Sequence, residues 1–199
     1  AHGAADVPCA ADAAWCRSLA DWQATLQAWA GDPPHGVGGL LDFTFAHGDG
    51  ELADELRDSA VSIAGAGAPL IRALLPTAAP APTAGARLDV GAALAAYEAA
   101  GRALAVASRS ATRATAQRLA EAGSLIGLSR ATIEDLSGAH RLLLDAALVQ
   151  QEADLTAGHA PSLQVDPAGL EPAARAEIER VIQHTHGLHD VIRAALALV

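Results

Sequence analysis

Lysine, asparagine and methionine are all missing from the 199 residues. With no lysine, all thirteen basic side chains are arginine, so neither Schiff-base catalysis nor a lysine phosphate loop is open to the chain. Losing three residue types together points to a genomic compositional bias, and the missing initiator methionine gives the expectation of a piece processed or excised from a longer chain. Aromatic residues are scarce as well, with two Phe, one Tyr and three Trp. The hydrophobic 51% is mostly Ala, Leu and Val, a composition that suits closely packed helices better than a sandwich or a barrel. The predicted fold is mainly α, a bundle of four to six helices with one short strand segment near residues 40–46.

Other absences narrow the function classes. The net charge is −10 and no basic stripe is present, which argues against nucleic acid as a partner. Cys9 and Cys16, the two cysteines, have the spacing of neither a redox pair nor a zinc knuckle, and they read as free thiols. No run of eighteen apolar residues and no basic segment before an apolar core occur, so neither a membrane span nor a signal peptide is predicted. The expected compartment is the cytoplasm.

Against this helical background one stretch alternates. In residues 40–49, Leu41, Phe43 and Phe45 would share one face of a strand and Asp42 and Thr44 the other. Asp42, with the His47-Gly48-Asp49 turn after it, is a candidate metal or phosphate position or simply part of a solvated face.

The rest of the chain reads as helices and breaks. Asp12 is a plausible N-cap for a helix whose seam is Trp15, Leu19, Trp22, Leu26 and Trp29, ended by Gly31. A second helix starts after Asp49 and runs toward Leu75, with interruptions at Gly65, Gly67 and Pro69. Residues 76–87 form a Pro/Ala linker. It separates a first part, 1–75, from a helical part, 88–199. Helical patterns then cover about 89–107, 112–122, 129–157 and 171–198. Gly123 reads as the C-cap of the second of these and Gly158 as the stop of the third. The third carries a stripe of Leu136, His140, Leu143, Leu144, Ala147, Leu148, Gln151 and Leu155.

Three clusters could carry chemistry. His184, His186, His189 and Asp190 are dense enough to suggest a metal, but their spacing is not the i, i+4 pair of a helical zinc site, and an exposed polar face is the alternative. Gly123-Ser124 with Glu134-Asp135 looks superficially like a nucleotidyltransferase loop with its acids, yet adjacent acids on a strand would point to opposite faces. Arg109, Arg113 and Arg118, with Ser108, Ser110, Thr112 and Thr115, form the most cationic patch. It reads as a phosphate or carboxylate site or as a set of surface ion pairs.

The order Thr115, Arg118-Leu119, Ala122-Gly123, Leu136, Ala139, Leu142-Leu143, Gln151, Ala157-Gly158 and Val165-Asp166-Pro167 resembles the C-terminal substrate-binding domain of bacterial nucleotidyltransferases related to the PII uridylyltransferases. Upstream, Pro8-Cys9, Trp15-Cys16-Arg17-Ser18-Leu19, Trp22, Trp29, Leu41-Asp42-Phe43 and His47-Gly48-Asp49 resemble the tail of the catalytic domain in front of it. The resemblance implies a catalytic core with a Gly-Ser loop and an Asp-x-Asp pair that bind divalent ions and a nucleoside triphosphate (NTP). It makes Asp42 a metal-site carboxylate by position, and Arg113, Thr115, Arg118 and Gln151 substrate-binding residues. Where the family usually has Arg, this chain has Thr44, Asp145 and Ala147, and the basic residue expected near Leu88-Asp89 is missing. The core motifs are expected upstream of residue 1, so the chain alone is expected to be inactive, with Mg²⁺ and NTP belonging to the intact enzyme. Its expected partner is that core or another nucleotidyltransferase chain. The alternative is a non-enzymatic bundle that binds a partner or forms a homodimer through the Trp seam or the long helix.

Overall fold

Several helix starts are set by short polar side chains in the computed structural model, which describes residues 17–31, 49–65, 77–108, 110 and 112–196. Helix α1, Leu19–Gly31, begins after Ser18, whose hydroxyl accepts from the Asp21 N–H at 3.2 Å. The expected cap, Asp12, lies outside the described residues. Helix α2, Gly50–Gly65, begins after Asp49, whose carboxylate accepts from the Glu51 N–H at 3.0 Å. The two helices lie together: Gln23 donates to the Ser59 hydroxyl at 3.0 Å, and Leu26 is buried in the core. Trp22 meets Trp29 edge-to-face at 6.4 Å, the arrangement that the ring quadrupoles favour. Trp15 and the predicted strand at 40–46, with Asp42, lie outside the described residues.

Strand β1, Leu88–Asp89, pairs antiparallel with β2, Gln164–Val165, with Leu88 opposite Val165. Asp89 then caps helix α3, Val90–Ala107, by accepting from the Ala92 N–H at 2.9 Å. Helix α3 packs against α4, Thr115–Leu125, α5, Arg130–Thr156, and α6, Pro172–Leu196. Ten of its eighteen residues are buried, which makes it the central helix. By length and composition it also resembles a membrane-crossing helix, but its apolar side chains are taken up by its neighbours. Leu104, Leu119 and Leu143 are fully buried around it, and each such side chain contributes about 1.5–3 kcal/mol. Gly101 lets α4 come close, since a Cβ there would stand 3.3 Å from the Thr115 methyl.

One expectation is corrected. Gly123 does not cap its helix. It is buried inside α4, and the left-handed position is Gly127, at φ 82°. There the Leu128 N–H bonds the Gly123 carbonyl at 2.9 Å and the Gly127 N–H bonds the Ser124 carbonyl at 3.2 Å, the paired closure of a Schellman motif. On α5 the stripe divides: Leu136, His140, Leu143 and Ala147 are buried, while Leu144, Leu148 and Leu155 face solvent, at 39%, 62% and 62% exposure. Gly158 does end α5, at φ 74°.

Residues 77–87, within the segment read as a linker, run along the bundle without helix. Ala79 is buried and donates its N–H to the Thr185 hydroxyl on α6 at 2.9 Å.

Candidate functional site

A cleft of about 250 Å³ opens between α3, α5 and α6. Helix α3 contributes Tyr97, α5 contributes Thr132, Asp135 and Leu136, and α6 contributes His184, Gly187, Leu188 and Val191. The walls are mostly apolar, with a few polar groups converging, which is the usual make-up of a small-molecule site. Tyr97 is buried, and its hydroxyl donates to the Val181 carbonyl at 3.5 Å, a long bond. Burial is the main cause that pushes its pKa up to about 12; the Arg180 charge opposes it, and the nearby Asp135 charge adds a smaller push upward. It therefore stays a neutral hydroxyl at physiological pH.

The charges at the rim are unequal. Arg180 closes its guanidinium on Glu177 through two hydrogen bonds, and it also lies 3.2 Å from His184 Nδ1. Glu177 is held below the usual carboxylate range by that partner. Asp135 makes no ion pair among the described residues, although its neighbour Glu134 pairs with Arg130 at 2.7 Å. Adjacent residues on a helix point about 100° apart, so one acid turns outward and the other lines the cleft.

The cationic patch read from the sequence gathers in part at the start of α4. The Arg118 Nε donates to the Thr112 carbonyl at 2.6 Å, and the Thr112 hydroxyl donates to Glu121 at 2.6 Å. Arg118 is only 5% exposed, so it fastens the connection between α3 and α4. Arg113 is exposed and Thr115 half-buried against Gly101. Arg109 lies outside the described residues. Gln151 is half-buried on α5 and takes no part in this hydrogen-bond set.

The histidines do not converge either. His184 and His186 are exposed, His189 is half-buried, and Asp190 pairs with Arg193 at 2.8 Å. Among the described residues no three His, Cys, Asp or Glu side chains stand together as metal ligands. Sequence reasoning missed the cleft itself. Its available signals were the chain's single Tyr and a glycine, Gly187, in the interior of a long helical pattern.

A family model described as "Putative nucleotidyltransferase substrate binding domain" matches residues 83–196. No curated protein and no solved structure matches the chain.

Proposed function

Because this chain belongs to the family of putative nucleotidyltransferase substrate-binding domains, we propose that it is the substrate-binding and regulatory helical part of a bacterial enzyme related to the PII uridylyltransferases. Nucleotidyl transfer from an NTP to a protein or small-molecule acceptor is then performed by a catalytic core carrying the Gly-Ser and Asp-x-Asp elements, which come from outside this sequence. The observation that carries this reading is the extent of the match, from the segment before β1 to the last turn of α6. The cytoplasm is where such an enzyme would work.

The described residues do not offer a set fitted to hold Mg²⁺. In this reading the ions and the NTP sit with the catalytic core, to which Asp42 would add one carboxylate. Arg113, Thr115, Arg118 and Gln151 remain the residues assigned to the acceptor side. Of these, Arg113 presents the freest guanidinium to solvent, the group best suited to an anion. The test is transfer from labelled ATP or UTP with Mg²⁺. The chain alone should transfer nothing, and adding the core should restore transfer. Robust transfer by the chain alone would overturn the assignment.

A second reading, a homodimer or partner-binding bundle, is favoured by one feature. Leu144, Leu148 and Leu155 fall on one exposed face of α5, an apolar stripe of the kind that interfaces cover. Sedimentation of the chain and of Leu148→Glu decides it: concentration-dependent association lost in the variant supports the interface, and a strict monomer removes it.

A further inference from the structure

We propose that the cleft between α3, α5 and α6 binds a small organic ammonium ion. Its nitrogen would lie at the Asp135 carboxylate and the Tyr97 hydroxyl, and its apolar body on Leu136, Leu188 and Val191. The proposal rests on the geometry of the cleft and stands apart from the assignment to nucleotidyl transfer.

Three observations converge on it. Tyr97 is 2% exposed, yet its hydroxyl has a single partner, the Val181 carbonyl, at the outer limit of a hydrogen bond. That bond uses the hydroxyl proton and leaves the oxygen lone pairs to accept from a donor in the cleft. Asp135 supplies a negative charge with no salt bridge at contact distance among the described residues, while Arg180, whose charge acts through space on both Asp135 and Tyr97, is closed on Glu177 by two hydrogen bonds. An ammonium satisfies both groups at once, and a carboxylate would be repelled. Gly187 is the third observation. It sits inside α6, where glycine is unfavourable, and a Cβ there would meet nothing within 4 Å. Close helix packing therefore does not account for it; the open space it leaves belongs to the cleft wall.

Size sets the class further. A cavity of about 150 Å³ accommodates benzene, so about 250 Å³ admits one ring or a short branched chain with an amine arm. Larger polyamines and nucleotides exceed it.

The test is an NMR titration of the full chain with phenethylammonium, 2-phenylethanol and 3-phenylpropionate, which share a body and differ in the polar end. The ammonium should bind at least about tenfold more tightly than the alcohol, the carboxylate more weakly than both, with shifts centred on Thr132, Asp135 and Gly187. Asp135→Asn, a change at an exposed side chain, should bring the ammonium to within about twofold of the alcohol. Gly187→Leu should remove binding of all three while the spectrum stays dispersed. Equal binding of ammonium and alcohol, a preference undiminished in Asp135→Asn, or no saturable binding of the ammonium would each overturn the proposal.

Discussion

The N–H of Ala79 and the hydroxyl of Thr185 meet at 2.9 Å although 106 residues separate them, and both residues are almost completely buried. The same hydroxyl donates to the Ile182 carbonyl at 2.7 Å, so it accepts one bond and gives its proton to another. A Pro/Ala run, which cannot form its own backbone ladder, is thus fixed to α6 by a side chain that also satisfies its own helix. Thr185→Val should keep the shape and strand the Ala79 N–H. The expected loss is about 1–3 kcal/mol, read as a lower urea midpoint at unchanged slope. Thr185→Ser keeps the hydroxyl and should lose only about 0.8 kcal/mol for the missing methyl.

Two glycines should respond in opposite directions to alanine. Gly127 holds φ 82°, so Gly127→Ala forces a side chain into the left-handed region and should destabilise by about 1–2 kcal/mol. Gly138 lies in the interior of α5, and a Cβ there would meet nothing within 4 Å. Gly138→Ala should therefore stabilise by about 0.5–1 kcal/mol through helix propensity. Thermal or urea unfolding of the two variants should place them on either side of the parent chain.

These contrasts also mark what the sequence could reveal. The four helices from Val90 onward were legible because their apolar residues recur with helical spacing and their ends carry ordinary signals, as Gly158 does. Gly123 misled because glycine in a helix and glycine after one look alike in sequence; only the packing of Leu128 and Ile133 on Gly123 separates it from Gly127. The α5 stripe was legible as a face, but periodicity does not say how much of a face is covered, and Leu144, Leu148 and Leu155 are exposed. Strands of two residues, β1 and β2, are too short to show a period. Arg118 was legible as a cation at a helix start but not as a buried one, since its burial depends on where α4 crosses Gly101. The cleft was illegible for the same reason: Tyr97, Asp135 and Gly187 come from three distant helices, and no local pattern links them.

Asp154 should prove the anchor of the connection between α5 and α6. Its carboxylate, 7% exposed, accepts from Gln150 Nε2 at 2.7 Å and from the Ser162 N–H at 2.9 Å, while Gln150 Oε1 accepts from the Asp166 N–H at 3.0 Å. Asp154→Ala strands two donors and should cost about 1–3 kcal/mol, with faster hydrogen exchange at the Ser162 amide. Gln150→Ala leaves the Ser162 bond in place and should cost less, within about 1 kcal/mol. Equal losses would show that Asp154 acts through Gln150 alone.

His140 gives the bundle a pH dependence whose sign is fixed by its surroundings. It is 7% exposed on α5, and burial lowers its pKa below 6.5, with Glu98 pulling weakly the other way. In the unfolded chain the imidazole takes up a proton as pH falls through 6.5; in the folded chain it resists until a lower pH. The unfolded state therefore binds more protons in that window, and stability present above 6.5 is lost as pH falls toward the folded value. Urea midpoints measured at descending pH should show this fall, and His140→Gln, which carries no titrating group, should flatten it. Glu98→Gln removes the opposing charge, so the folded pKa should drop further and the fall should extend to lower pH. An identical pH slope in the parent chain and His140→Gln would place the effect on another group. A slope that Glu98→Gln leaves unchanged would show that solvent screens that charge before it reaches the ring.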